Sequence, residues 1–208
     1  MIGGIVAGVK QVESLILWEH ISNFFSNISG RNTFLKIRKN FYKISRNIQS
    51  KFSKATGLLP DFIIKKSSRP AFQKTLESRY DGQCYYNSAR VPLRFILDYA
   101  HHNNKEPLEI TNNIVDFVYK NAQGKVSNIK SGYTLSGRVI GNYFDSAFVA
   151  PIVTAATGQK RLQKFVNSGW DFLLKKKVNY YSDSLNMLSL FYLGGRWPKV
   201  ENFESHSP

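Results

Sequence analysis

Stretches with helical spacing of apolar residues alternate along this chain with stretches that have no period. Over about 12–27, Leu15, Leu17, Trp18, Ile21, Phe24 and Phe25 recur near the helical spacing and predict an amphipathic helix. The SGRN segment at 29–32 reads as a turn. A second helix is predicted over 33–52, with Leu35, Ile37, Phe41, Ile44, Ile48 and Phe52 facing inward. The segment 53–85 has no sustained period, and Gly57, Pro60, Pro70 and Gly82 break it into loops. Loops of that length inside a domain tend to carry function.

A third helix is predicted from Asn87 to about His102, with Phe95, Ile96, Leu97 and Tyr99 as its apolar positions. Pro92 is tolerable there only within the first turns. Asn103 and Asn104 end it, and Pro107 opens a fourth helix at a favoured early position. A Gly- and Ser-rich loop covers 123–143, and helices follow over about 147–156, 160–177 and 182–193. No run alternates strictly enough for a half-buried strand. The expected fold is all-α, with six or seven helices in antiparallel hairpins. Long loops gathered at one end of such an array would line a cleft.

Charge changes this picture little. The 208 residues carry a net charge of +15, which raises the question of a polyanion partner. The charge is spread: residues 1–60 hold nine Lys and Arg against two Asp and Glu, and the rest carry the remaining +8. Only Lys36, Arg38, Lys39, Lys43 and Arg46 form a stripe, at the three- and four-residue steps of a solvated helix face. The single cysteine excludes an internal disulfide. His101 and His102 suit the C-terminal end of a helix dipole and lack the further ligands of a metal site. No cofactor is implied. The first residues lack a basic leader and are interrupted by Lys10 and Glu13, so no signal peptide is expected. No uncharged apolar run is long enough for a membrane span.

The chemistry concentrates around YDGQCYYNSARVPLR at 80–94, with three tyrosines, an asparagine and an arginine where a helix begins. Five blocks in order carry a resemblance: TGLLPDF at 56–62, YYNSARVPLR at 85–94, SGYTLSG at 131–137, SAFVAP at 146–151 and YYSDSLNMLSLFYLGGRWP at 180–198. They resemble the TGLxPDF/W block, the Y-[DN]-x-x-R-x-P-W-R block, the DGYTxxG block and the last helices of glycoside hydrolase family eight, the cellulase D family. The match covers roughly 15–200, as the C-terminal half of an (α/α)6 toroid. It leaves 1–14 unplaced and 201–208 as a frayed tail.

The resemblance implies endo-acting, inverting hydrolysis of a β-linked glucan or of chitosan. Such a reaction needs a carboxylic acid on the leaving oxygen and a second carboxylate that activates water, about 6.5–9.5 Å apart. The family's proton donor is a glutamate in an early block that these residues do not contain. Glu13 and Glu19 sit in an ordinary amphipathic pattern. The chain is therefore expected to lack the proton-donor half and to be inactive alone, with that half as a partner on another chain.

Many family members carry the base aspartate at the position of Asn87. An amide cannot take the proton, and the resemblance to the chitosanase and mixed-linkage glucanase branch implies Glu77 as general base with Asn87 positioning the water. Asp81 is the second candidate base; its plain alternative is a turn residue before Gly82. By the same resemblance Tyr86, Arg90, Tyr180 and Tyr181 bind substrate. Each tyrosine could equally be a packed ring with a satisfied hydroxyl, and Arg90 a structural hub for five donors.

A body at +15 repels polycationic chitosan, which favours a neutral β-1,3-1,4-glucan. The family is typically secreted. Two other readings stand beside the hydrolase: a non-catalytic carbohydrate-binding remnant, and a nucleic-acid-binding module on the basic helix at 33–52. No membrane partner is expected.

Overall fold

The computed structural model describes residues 31–64 and 68–197. The helix expected over 12–27, Glu13 and Glu19 and the tail at 201–208 lie outside the described residues. Six α-helices dominate what is described: α1 (Arg31–Phe52), α2 (Val91–His102), α3 (Lys105–Asn121), α4 (Ser146–Ala155), α5 (Gln163–Leu173) and α6 (Tyr180–Leu193). Two short antiparallel ribbons accompany them, β1 (Ile63–Ile64) with β2 (Arg69–Pro70), and β3 (Ser131–Tyr133) with β4 (Val139–Gly141). These strands are two or three residues long, too short for any alternation to register in a sequence pattern.

Capping sets the helix boundaries. Asn103 ends α2 in the left-handed conformation at φ 50°, its N–H donating to the Tyr99 carbonyl. The Asn104 side chain then accepts from the Glu106 N–H and starts α3 two residues before Pro107. With so short a link, α2 and α3 pack as an antiparallel hairpin. Asp145 caps α4 by accepting from the Ala147 N–H, and Asn179 caps α6 by accepting from the Ser182 N–H. At Asn87 the expected helix starts instead as a 3-10 turn, Ser88–Arg90, which leads into α2. Likewise, a 3-10 turn at Lys160–Leu162 precedes α5, which is shorter than the predicted 160–177.

Every residue of α4 is buried, as its small and apolar composition requires of a helix surrounded on all sides. It packs on α2, α3, α5 and α6. Gly169 lets α5 close on α4: a Cβ there would stand 2.5 Å from Val153 Cγ1. On α1, Tyr42 and Phe41 meet the Phe95 ring edge-on at 5.9 and 5.5 Å. Leu35 and Phe52, expected inward, are 41% and 43% exposed, because the face of α1 that meets α2 and α3 runs through Tyr42, Ser45, Ile48 and Gln49. The buried Gln49 amide donates to the carbonyls of Gly57 (2.7 Å) and Ile110 (2.8 Å), tying α1, the following loop and α3 together. Part of the basic stripe is spent within the fold: Arg46 lies 2.9 Å from Glu109, and Arg38 lies 3.3 Å from the buried Asp98. Lys36, Lys39 and Lys43 stay exposed.

The arrangement of helix ends positions the candidate site. Tyr86, Asp145 and Tyr181 stand at the starts of α2, α4 and α6. The Tyr86 hydroxyl donates to Asp145 Oδ2 at 2.8 Å, and the Tyr181 hydroxyl donates to the Tyr86 carbonyl at 3.0 Å. The N-terminal ends of three alternate helices are therefore gathered at one end. This is the helical-hairpin arc of a toroid, and the described loop segments 53–64 and 68–87 and the β3–β4 ribbon adjoin that end. Among the described residues no helix is long and apolar enough to cross a membrane.

Candidate active site

The floor of the site is built by loop chemistry. Asp61, in the TGLLPDF segment, is buried and accepts from the N–H groups of Tyr85 (2.8 Å) and Ser88 (2.9 Å) and from the Ser88 hydroxyl (2.8 Å). Burial raises its carboxyl above the usual carboxylate range, against hydrogen bonds from Ser88, Tyr85 and Asn87 that pull it down. These contacts hold the first turn before α2. The strand-like segment behind it is paired to its neighbour: the Asp61 N–H donates to Gln83 O (2.8 Å) and the Phe62 N–H to Asp81 O (2.9 Å). The Cys84 and Tyr133 backbones exchange bonds of 3.0 and 2.9 Å, which ties the β3–β4 ribbon to the same floor. Burial pushes the Cys84 thiol up to about 12, the state of an inert packed side chain.

On this floor Asn87 is flanked from both sides. Its Nδ2 donates to Glu77 Oε2 at 2.8 Å, and its Oδ1 accepts from Arg90 Nη2 at 2.6 Å. A guanidinium only donates and a carboxylate only accepts, so the two neighbours dictate which way the amide points. Arg90 Nε also reaches the Asn87 carbonyl at 3.3 Å. The Glu77 side chain is exposed, and that of Arg90 is buried. Asp81 lies beneath at 1% exposure, with its carboxylate occupied by the N–H groups of Leu76, Glu77 and Ser78.

Beside this pair the tyrosines form a connected wall. Tyr80 and Tyr85 are 4.8 Å apart between ring centroids, as are Tyr85 and Tyr86, and Tyr86 meets Tyr181 edge-on at 6.2 Å. The Tyr143 hydroxyl bridges those of Tyr85 (3.3 Å) and Tyr86 (3.2 Å). Burial first, then the Tyr143 hydrogen bond, raises the ionisation of both Tyr85 and Tyr86, so their hydroxyls stay neutral donors and acceptors. The Arg90 guanidinium carbon lies 5.9 Å from the Tyr181 ring centre. Glu77, Asn87 and Arg90 are thus joined, and Arg90, Tyr86 and Tyr181 form the adjoining wall. Tyr180 is 92% exposed, on the outward side of its helix start and away from the Tyr181 contacts.

Asp61, Asp145 and Tyr143 were not singled out in the sequence. Asp145, immediately before the SAFVAP segment, carries the signal of an N-cap residue. Tyr143 carries no such signal; it reaches the wall because the β3–β4 ribbon brings it there, its carbonyl accepting from the Ser131 hydroxyl at 2.9 Å.

The chain is 37% identical over 184 residues to an endoglucanase of Bacillus sp. (strain KSM-330), a match covering 88% of this chain and 40% of that protein. It is 32% identical over 176 residues to a β-glucanase of Niallia circulans, covering 83% of this chain and 43% of that protein. Over most of its length the chain is thus similar to one part of an endoglucanase and one part of a β-glucanase. The apo structure of a β-1,3-1,4-glucanase from Paenibacillus sp. X4 superposes with a TM-score of 0.83 at 29% identity, over 91% of this chain and 50% of that one. No protein-family profile matches the chain. The chain thus spans between two-fifths and half the length of these relatives. The all-α, toroid-like fold expected from the sequence is the fold observed.

Proposed function

We propose that the chain supplies the base-bearing half of an inverting endo-glucanase of the family-eight type, in the branch with asparagine at position 87. Glu77 is the general base, Asn87 positions the attacking water, and Tyr86, Arg90 and Tyr181 hold the sugar beside it. Tyr180 contributes a more distant aromatic face at the rim. The observation that carries the reading is the 2.8 Å hydrogen bond from Asn87 Nδ2 to Glu77 Oε2, ten residues apart in sequence, at the edge of a tyrosine wall. A carboxylate that accepts one hydrogen bond from an amide has lone pairs left for a water, while the second amide proton and second Oδ1 lone pair can orient that water. Asp81 is the weaker candidate, because its oxygens are already taken and it has almost no access to solvent.

The substrate is a neutral mixed-linkage β-1,3-1,4-glucan. The positive body disfavours chitosan, and the Paenibacillus neighbour bears the name of such a glucanase. The proton donor comes from a helical half that these 208 residues do not contain. By this reading the chain alone releases no reducing ends from mixed-linkage glucan, and activity appears on adding an acid-bearing N-terminal half. In that assembly Glu77→Gln lowers kcat about 10²–10⁴-fold, the usual worth of a general base, with oligosaccharide binding retained. Full activity in Glu77→Gln rejects the assignment of the base. Calorimetric glucan binding with no turnover in any assembly rejects the hydrolase and leaves a binding remnant.

A further inference from the structure

We infer that Asp81 is the positioning residue for the Glu77–Asn87 pair: its buried carboxylate holds the Glu77 backbone and so sets where the Glu77 side chain meets the amide. This inference rests on the reading of Glu77 as the base. Three consecutive N–H groups converge on Asp81, from Leu76 (2.6 Å) and Glu77 (3.2 Å) to Oδ2 and from Ser78 (2.7 Å) to Oδ1. The Lys74 N–H donates to the Ser78 carbonyl at 2.8 Å, and the Asp81 N–H donates to the same carbonyl at 3.3 Å. The segment 74–81 is therefore wrapped around one carboxylate. It forms no regular helix or strand of its own.

The surroundings show why a charged acceptor is needed. Leu76 is 43% exposed and Glu77 is exposed, so apolar burial does little to hold this segment. Asp81 itself is anchored. Its carbonyl accepts from Phe62 N at 2.9 Å, one residue from Asp61, whose own carboxylate holds the turn that carries Asn87. Two buried aspartates on one paired backbone thus hold the two partners: Asp61 the amide, Asp81 the carboxylate. A base displaced by a fraction of an ångström from its water loses much of its rate, so the clamp matters to chemistry as well as to folding.

The Asn87 side-chain amide resonance reports the Glu77 contact directly in the full chain, without substrate or a second half. Glu77→Ala removes the acceptor and defines the uncoupled position of that resonance. Asp81→Asn keeps the shape but loses the charge and one acceptor oxygen. It should bring the resonance close to that of Glu77→Ala, with amide hydrogen exchange at 76–78 roughly tenfold faster or more, while exchange in α4 keeps its native protection. Asp81→Glu keeps the charge and moves the acceptor by one methylene, which covers the case where Asp81→Asn fails to fold; it too should displace the resonance. A wild-type Asn87 resonance in a folded Asp81 variant, with Glu77→Ala shifted, overturns the positioning role and leaves the base assignment standing. An unshifted resonance in Glu77→Ala removes the pair itself, and with it both readings.

Discussion

Asn87 donates to Glu77 at 2.8 Å while accepting from Arg90 at 2.6 Å, so a neutral amide bridges a carboxylate and a guanidinium. Replacing it by aspartate puts two carboxylates in hydrogen-bond contact. Like charges so close cannot both ionise freely, and one of the pair takes up a proton at higher pH than an ordinary carboxylate. A folded-state pKa raised above the unfolded value favours the fold at low pH and weakens it as pH rises. Asn87→Asp should therefore match the wild type near pH 4 and lose about 1–3 kcal/mol by pH 7, with Arg90 limiting the loss. Urea unfolding at the two pH values measures this; a pH-independent difference would contradict it.

Tyr86 makes two contacts through one hydroxyl, donating to Asp145 at 2.8 Å beside the Tyr143 hydroxyl at 3.2 Å. Tyr86→Phe keeps the ring and leaves Asp145, itself 3% exposed, without that donor. A stability loss of about 1–3 kcal/mol is expected, with modest change in glucan-oligosaccharide binding. Tyr86→Ala removes the ring that the proposed function assigns to the sugar and should weaken binding tenfold or more, about 1.4 kcal/mol. Calorimetry on both variants separates the ring from the hydroxyl.

Gly132 sits at φ +94°, and a Cβ there would approach the Tyr85 ring to 2.5 Å. Gly132→Ala pays for backbone strain and also forces the ring out of the tyrosine wall. A loss of about 1–3 kcal/mol in unfolding free energy is expected from the strain alone. Oligosaccharide binding should weaken along with it, since Tyr85 and Tyr86 share the Tyr143 hydroxyl. Retained binding in a destabilised Gly132→Ala would place Tyr85 outside the sugar site.

His102 ends α2 with its ionisation lowered from 6.5 to about 4, through burial first and then the positive charges of Arg38 and His101. Asp98, at 3.8 Å, does not reverse this, because its charge is already shared with Arg38 at 3.3 Å. Below pH 6.5 the unfolded chain takes up a proton that the folded chain refuses until about pH 4, so stability is lost as pH falls through that window. With the imidazole a third exposed, solvent screening should hold the loss to roughly 1 kcal/mol. Thermal melts of wild type and His102→Gln should diverge between those pH values and run parallel above them.

The helices and the resemblance to glucanases were legible in the sequence because both depend on local order along the chain. Apolar spacing in 33–52 and 91–118, the Asn103-Asn104 stop and five motif blocks in order needed no knowledge of contacts. The choice of Glu77 over Asp81 came from resemblance alone. Both are acidic residues of one aperiodic loop, and only folding separates them, burying one under three N–H groups and leaving the other exposed beside Asn87. The inward face of α1 also depended on its neighbours: Leu35 and Phe52 fit the period but lie beyond the reach of α2 and α3. Tyr143 is one tyrosine among 11 in the sequence, and it becomes part of the wall because a three-residue ribbon returns it to Tyr85 and Tyr86, 57 to 58 residues away. Helix identity is written in near-neighbour spacing, which a sequence displays; a site is made of contacts between distant segments, which exist only once the N-terminal ends of α2, α4 and α6 have been packed together.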